Sequence, residues 1–266
     1  MKLNIAHDAR PQARTLLLAT LLTLALWWVV PFGDLLTYPF RIFVTFIHEG
    51  GHALAALITG NSVASLTVAA DGSGEVYSTT GGLFSKMFIS SAGYLGAMGF
   101  GALLLLLIRR TVAARYVLVG SAVLVFALTV LFGVLSPLFS LSFGTLFSLS
   151  GFFTLFAGIL LPLGLLAAAR YASPRIATFL VGFLAVQCVL NALFDLKTVM
   201  LLSAMPGVRT DAMNMAEATG VHQLFWALMW VVVAFVILSL ALRAYSVGRG
   251  DARQPDLPFE DSPLEV

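Results

Sequence analysis

The sequence predicts an all-α polytopic membrane protein of about seven transmembrane helices, with one small β-hairpin after the second helix. Three observations carry that prediction. First, 59% of the 266 residues are hydrophobic, only 11% are charged, and the mean hydropathy is +0.96. A soluble domain carries about 25% charged residues, so this chain has too little polar surface to cover a water-soluble globule. Second, seven stretches reach the roughly 20 apolar residues that a membrane crossing needs. Third, one polar interval between them alternates like a strand pair rather than a helix.

The apolar segments fall at roughly 13–33, 37–59, 83–108, 112–135, 146–169, 175–197 and 221–245. Lys2, Arg10 and Arg14 precede the first, in the manner of a signal peptide, but "VVPFGD" follows it with no small-residue cleavage site. It is read as a retained first helix. Residues 61–82, "NSVASLTVAADGSGEVYSTTGG", alternate Thr, Val and Ser on both sides of "DGSG", the pattern of two short strands around a Gly-rich turn. "SPLFSLSFG" at 136–144 is apolar but broken by Ser and Pro, and reads as a loop at the membrane surface. Residues 1–247 are taken as one transmembrane domain, and the Pro-rich, charged residues 248–266 as a disordered polar tail. Trp27, Trp28, Trp226 and Trp230 sit near segment ends and read as interface anchors.

The net charge of +2 is small, and the basic residues gather at segment ends without forming a stripe, which argues against nucleic acid as a partner. With a single cysteine, Cys188, no internal disulfide forms. Seven crossings put Arg109, Arg110, Arg115, Arg170, Arg175, Arg243, Arg249 and Arg253 on one side of the membrane and Lys2, Arg10 and Arg14 on the other. That split conflicts with the rule that positive charge stays in the cytoplasm, and leaves orientation open.

Within the predicted spans lie only two carboxylates, Glu49 and Asp195. A carboxylate at mid-membrane depth costs at least ~2.5–3.5 kcal/mol, so such a group faces a cavity, a partner or a metal. Glu49 stands in "HEGGH". His48 and His52 are four apart, on one helix face, and two neutral imidazoles so placed can share one Zn²⁺. In this pattern the glutamate does not bind the metal: it takes a proton from the attacking water and passes one to the leaving amine. Gly50 and Gly51 each cost about 1 kcal/mol of helix propensity and leave room for a substrate strand or a neighbouring helix.

A catalytic zinc keeps three protein ligands and one open position. The expected third ligand is Asp195, on the same stripe as Gln187 and Asn191 and at the same membrane side as His52. Asp211 and His222 are the alternatives. Asn191, one turn deeper, is a candidate to orient Asp195 or to bond a developing oxyanion; helix packing is its other reading. The small-residue run around Tyr94 marks close helix packing, and a place for Tyr94 at the site is the weaker reading.

The run His48-Glu49-Gly50-Gly51-His52-Ala53-Leu54-Ala55, with "DGSG" at 71–74, "SSAGYLG" at 90–96, "NALFDL" at 191–196 and "TDAMNMAEATG" at 210–220, resembles the site-2-protease family of zinc intramembrane metallopeptidases, in its short bacterial B-like branch. The resemblance covers about 40–235. It implies an endopeptidase of the bacterial plasma membrane, acting on membrane-protein or peptide substrates within or near the lipid bilayer, with one Zn²⁺ per chain. His48, His52 and Asp195 are the implied ligands and Glu49 the catalytic glutamate. The hairpin would present an extended substrate by strand addition. The family's aspartate usually stands in "LDG" with prolines nearby; here it stands in "FDL" without them. The competing function is a non-proteolytic membrane protein, a transporter or a structural metal site, using the same cluster. Glu49 discriminates, because such a protein needs no base beside an open metal position.

Overall fold

A computed structural model describes residues 10–109, 112–205 and 210–246. The predicted tail at 248–266 lies outside the described residues, as does His7. Each of the seven apolar segments is helical: α1 (Arg10–Trp28), α2 (Gly33–Ile58), α3 (Leu83–Arg109), α4 (Ala114–Leu128), and, after two one-turn helices α5 (Ser136–Phe139) and α6 (Phe143–Leu146), α7 (Leu149–Tyr171), α8 (Pro174–Leu202) and, beyond the short α9 (Asp211–Thr219), α10 (Gln223–Ser246). A π-helical stretch, Thr129–Leu135, joins α4 to α5, so that Ala114–Phe139 forms one span. "SPLF" therefore extends a crossing instead of lying in a surface loop.

The count of seven crossings needs correcting. Among the described residues, five helices are individually long and apolar enough to cross a membrane, and α1 with α2 adds a sixth if the pair is one bent span. The two helices meet at 120°. Phe32 enters the left-handed region (φ 59°) to make the corner, and Gly33 packs so close to the Leu26 carbonyl that no side chain fits there.

Side-chain contacts give the direction of α1. Leu16 lies against Gly182, Thr23 bonds Gln187 and Trp27 packs on Phe194, so α1 runs beside α8 in the same direction. α3 runs opposite to α8, with Ile108 near Gly182 and Gly101 against Cys188. Asn61, just past α2, bonds Ser85 at the start of α3. The start of α1 and the hairpin are therefore at opposite ends of the bundle. Counted this way, Arg14 joins Arg109, Arg115, Arg170, Arg175 and Arg243 at one end. Asp34, Asp71, Glu75, Asp195 and Glu217 lie toward the other, in the hairpin or lining its neighbouring cavities, with Arg41, Lys86 and Lys197 as the basic residues there. Taken as one bent span, α1 and α2 bring Arg14 to the same end as the arginines that close α3, α7 and α10.

The hairpin forms where the alternation predicts it. β1 (Val63–Val68) pairs antiparallel with β2 (Gly74–Ser78), with a bulge between Val63 and Ser65. Gly72 supplies the left-handed turn residue (φ 88°), and Asp71 Oδ1 accepts from the Ser73 backbone N–H (2.8 Å) and hydroxyl (2.6 Å). Those bonds hold the Asp71 carboxyl below the usual carboxylate range. β1 is mostly buried; at its outer edge Thr154 Oγ1 of α7 accepts from the Val68 N–H at 2.7 Å. The outer edge of β2 faces a cavity.

Candidate metal centre

The cavity beside β2 has a volume of about 910 Å³ and is lined by residues of α2, α3, α8, α9 and the hairpin. His48 and His52 enter it from α2, one turn apart. Close approach of α3 makes their setting. A methyl group on Gly51 would strike the Ala92 carbonyl, and one on Gly96 would lie 3.6 Å from Gly51 Cα. The room left by Gly51 is thus taken by a neighbouring helix; a methyl on Gly50 would meet the Leu128 side chain of α4. This closeness brings the Ile89 carbonyl within 2.7 Å of His52 Nδ1. The imidazole N–H donates there, which leaves His52 Nε2 as a bare lone pair pointing into the cavity.

That lone pair faces His48 Nε2 at 3.1 Å. A carboxylate oxygen of Asp211 lies 3.4 Å from His52 Nε2 and 3.9 Å from His48 Nε2. His48, His52 and Asp211 each offer one ligand atom, all within 4.8 Å of one another. Two zinc–nitrogen bonds of about 2.0–2.1 Å at a tetrahedral angle set the nitrogens ~3.3 Å apart, so these three groups fit one ion. Gly93 fits it too: a Cβ there would press on Nε2 of both imidazoles, in the space an ion needs. Glu49 is buried beside the pair but outside the ligand group, with its carboxyl against Gly74 of the hairpin.

The expected third ligand, Asp195, is not brought to the imidazoles. It lines the same cavity, but the stripe it shares with Gln187 and Asn191 is turned toward α1 and the start of α2. Gln187 donates to Thr23 Oγ1 at 3.1 Å, and Asn191 donates to the Gln187 carbonyl and side-chain oxygen at 2.8 and 3.1 Å. All three line a second cavity of about 710 Å³ with Trp27, Tyr38 and Arg41. Asn191 thus bonds Gln187 rather than Asp195, and it does not line the cavity that holds the histidines. His222 is exposed, and its Nδ1 accepts the Leu224 N–H at 3.2 Å, as a helix cap.

Asp211 opens α9, a nine-residue helix capped by Thr210, whose Oγ1 accepts the Met213 N–H. Burial alone would raise its carboxyl; the two imidazoles, His52 foremost, outweigh that and hold it below the usual range. Gly93 and Tyr94 also belong to this site, beside His48 and in the cavity lining, and neither is marked by a chemical motif in the sequence. Their signal was the small-residue run 90–96, which marks where α3 can approach α2. Trp230 is not an interface anchor: it is fully buried behind Tyr94. The cavity lining is acidic, with Glu49, Glu75, Asp195, Asp211 and Glu217 against Lys86 alone. Such a lining favours a divalent cation.

A bundle of membrane-spanning helices that gathers two histidines one turn apart, a flanking glutamate and a distant carboxylate has the arrangement of a membrane-embedded metallopeptidase. The chain belongs to the peptidase M50B-like family, which it matches over residues 17–241. No curated protein and no solved structure matches it.

Proposed function

We propose that this chain is a zinc-dependent intramembrane endopeptidase in which His48, His52 and Asp211 hold one Zn²⁺ and Glu49 is the general base. The observation that carries this reading is the convergence of His48 Nε2, His52 Nε2 and an Asp211 oxygen around the space left by Gly93. When bound, the ion supplies Lewis-acid polarisation of water and of the scissile carbonyl. Glu49, at the cavity wall, takes the proton of the attacking water and returns one to the departing nitrogen. β2 keeps one edge unpaired toward the cavity, so an extended segment of a membrane-protein substrate can add there as a further strand, within reach of Glu49. Lys86, Glu75 and Glu217 line that approach.

The charge of the two bundle ends supports an orientation. The end bearing Arg14, Arg109, Arg115, Arg170, Arg175 and Arg243 lies in the cytoplasm by the positive-inside rule, and the metal cavity and hairpin open toward the opposite face of the plasma membrane. Metal analysis of the detergent-purified chain tests the centre. About one zinc per chain is expected, lost in His48→Ala/His52→Ala. Full zinc retention in that double variant would refute the proposal.

A further inference from the structure

One stripe of α2 does more than carry the histidines. Tyr38, Arg41 and Thr45 precede His48 and His52 at alternating intervals of three and four residues, so all five lie along one face of the helix. The first three reach successive carbonyls of the hairpin turn. The Tyr38 hydroxyl donates to the Ala70 carbonyl at 2.6 Å, and Arg41 Nη2 to the Asp71 carbonyl at 2.7 Å. Thr45 Oγ1 lies 2.9 Å from the Gly72 carbonyl, nearer than the Arg41 carbonyl of its own helix at 3.1 Å. The Arg41 guanidinium also packs against Gly72, where a Cβ would strike it. Two residues on, a Cβ on Gly74 would strike the Glu49 carboxyl. The ladder sets which atoms of Gly74 meet the cavity. Gly74 pairs with Val68, whose own N–H and C=O turn outward to Thr154 Oγ1. Both members of such a pair point their backbone groups away from each other, so the N–H and C=O of Gly74 turn to the unpaired edge of β2, in the cavity lining.

We propose that Tyr38, Arg41 and Thr45 are positioning residues for the base: they clip the hairpin turn to α2 and so fix the Gly74 edge of β2 against Glu49. This rests on the reading of Glu49 as the general base and of β2 as the strand to which substrate adds. The hairpin is anchored without the clip, because β1 is mostly buried and its Val68 end is held by α7 through Thr154. The clip acts elsewhere, on the distance between the turn and α2. Its three donors stand on the helix that bears His48, Glu49 and His52, so the edge that takes the substrate and the groups that act on it share one rigid body. A substrate backbone bonded to Gly74 then meets the Glu49 carboxyl at one depth. Without the clip the substrate still adds to β2, but it moves with the hairpin relative to the base.

The experiment uses the full chain purified in detergent, a membrane-embedded reporter peptide, and zinc content measured on the same samples. Tyr38→Phe/Arg41→Met/Thr45→Val removes the three donors and keeps most of each side chain's bulk. Its kcat should fall by about 10–100-fold, since a misplacement of about 1 Å costs up to about 10²-fold. KM and zinc content should stay as in the wild type. Amide exchange of the metal-free chain should quicken in the turn and β2 and nowhere else. Thr45→Val alone should show the same pattern in smaller measure, so the test survives a triple variant that does not fold. Thr45→Ser, which keeps the hydroxyl, should behave as wild type. Gly74→Ala, whose methyl meets the Glu49 carboxyl, should also lower kcat with zinc retained. Joined to the triple variant it should cost less than it does alone, because a released turn can recede from Glu49. Wild-type kcat in the triple variant, despite faster exchange, would overturn the positioning role. So would losses from the clip and from Gly74→Ala that multiply in full, a Thr45→Ser as poor as Thr45→Val, or a loss carried by KM alone. A wild type that cleaves no reporter, or Glu49→Gln that cleaves as fast, would remove the base and with it what the clip positions; that failure is told apart because it occurs with the clip intact.

Discussion

Gly93→Ala puts a single methyl group into the centre of the site. On the observed backbone that methyl would press on Nε2 of His48 and Nε2 of His52, both ends of flexible side chains. The cheapest relief is for the imidazoles to turn, not for α2 and α3 to part. Holding a side chain about 30° off its rotamer costs roughly 0.5–1.5 kcal/mol, so forcing both histidines back to a bound ion costs about 1–3 kcal/mol. At 1.4 kcal/mol per tenfold, zinc affinity falls by about 5–150-fold, and further if the ion and the methyl exclude one another outright. The helix itself gains, since alanine exceeds glycine in helix propensity by up to about 1 kcal/mol. The expected signature is therefore a protein that loses zinc while its metal-free form melts no lower than wild type. Chelator competition and thermal melting of the metal-free chain read the two effects separately. Wild-type zinc affinity in Gly93→Ala would refute the placement of the ion between the imidazoles. A metal-free variant that no longer folds would refute the argument that the side chains yield before the helices do.

Two further outcomes follow from the geometry. Asp195→Asn should leave zinc content at one per chain, because the carboxylate lines the cavity without joining the ligand group; loss of zinc in metal analysis would return Asp195 to the ligand set. In intact cells a membrane-impermeant thiol reagent should label Ser73→Cys, in the hairpin turn, and should miss Ser173→Cys, at the start of α8; the native Cys188 is buried and contributes no background. The reverse labelling pattern would invert the proposed orientation.

Much of this site is legible before any coordinates, because its chemistry is written in short-range spacing. His48 and His52 share a face by helix geometry alone, and the hairpin follows from alternation around "DGSG". What hydropathy cannot register is direction. The corner at Phe32 and Gly33 depends on one left-handed residue and one close approach to Leu26, and "VVPFGD" gives no sign that the next helix leaves at 120°. Asp195 looked like the ligand because it is a carboxylate in an apolar helix. Its stripe instead faces Thr23 and Arg41, and no periodicity within α8 tells which neighbour that face meets. Asp211 does not stand out in the sequence, because a nine-residue polar helix between two spans resembles a solvated loop. It is packing of α9 against α3 and α10, with Thr219 Oγ1 accepting from Trp226 Nε1 at 3.1 Å, that sets it beside the histidines.

Peptide cleavage by Glu49→Gln separates a metallopeptidase from a metal site without a base. The substitution keeps the size and hydrogen bonding of a buried side chain that lies beside the ligand group and outside it, and removes only the base. The assay is cleavage of a membrane-embedded reporter carrying a helix-destabilising stretch, with zinc content measured on the same sample. The wild type should cleave, and Glu49→Gln should keep one zinc per chain while its rate falls by about 10²–10⁴-fold. Cleavage by Glu49→Gln at the wild-type rate would contradict the role of Glu49 as the base.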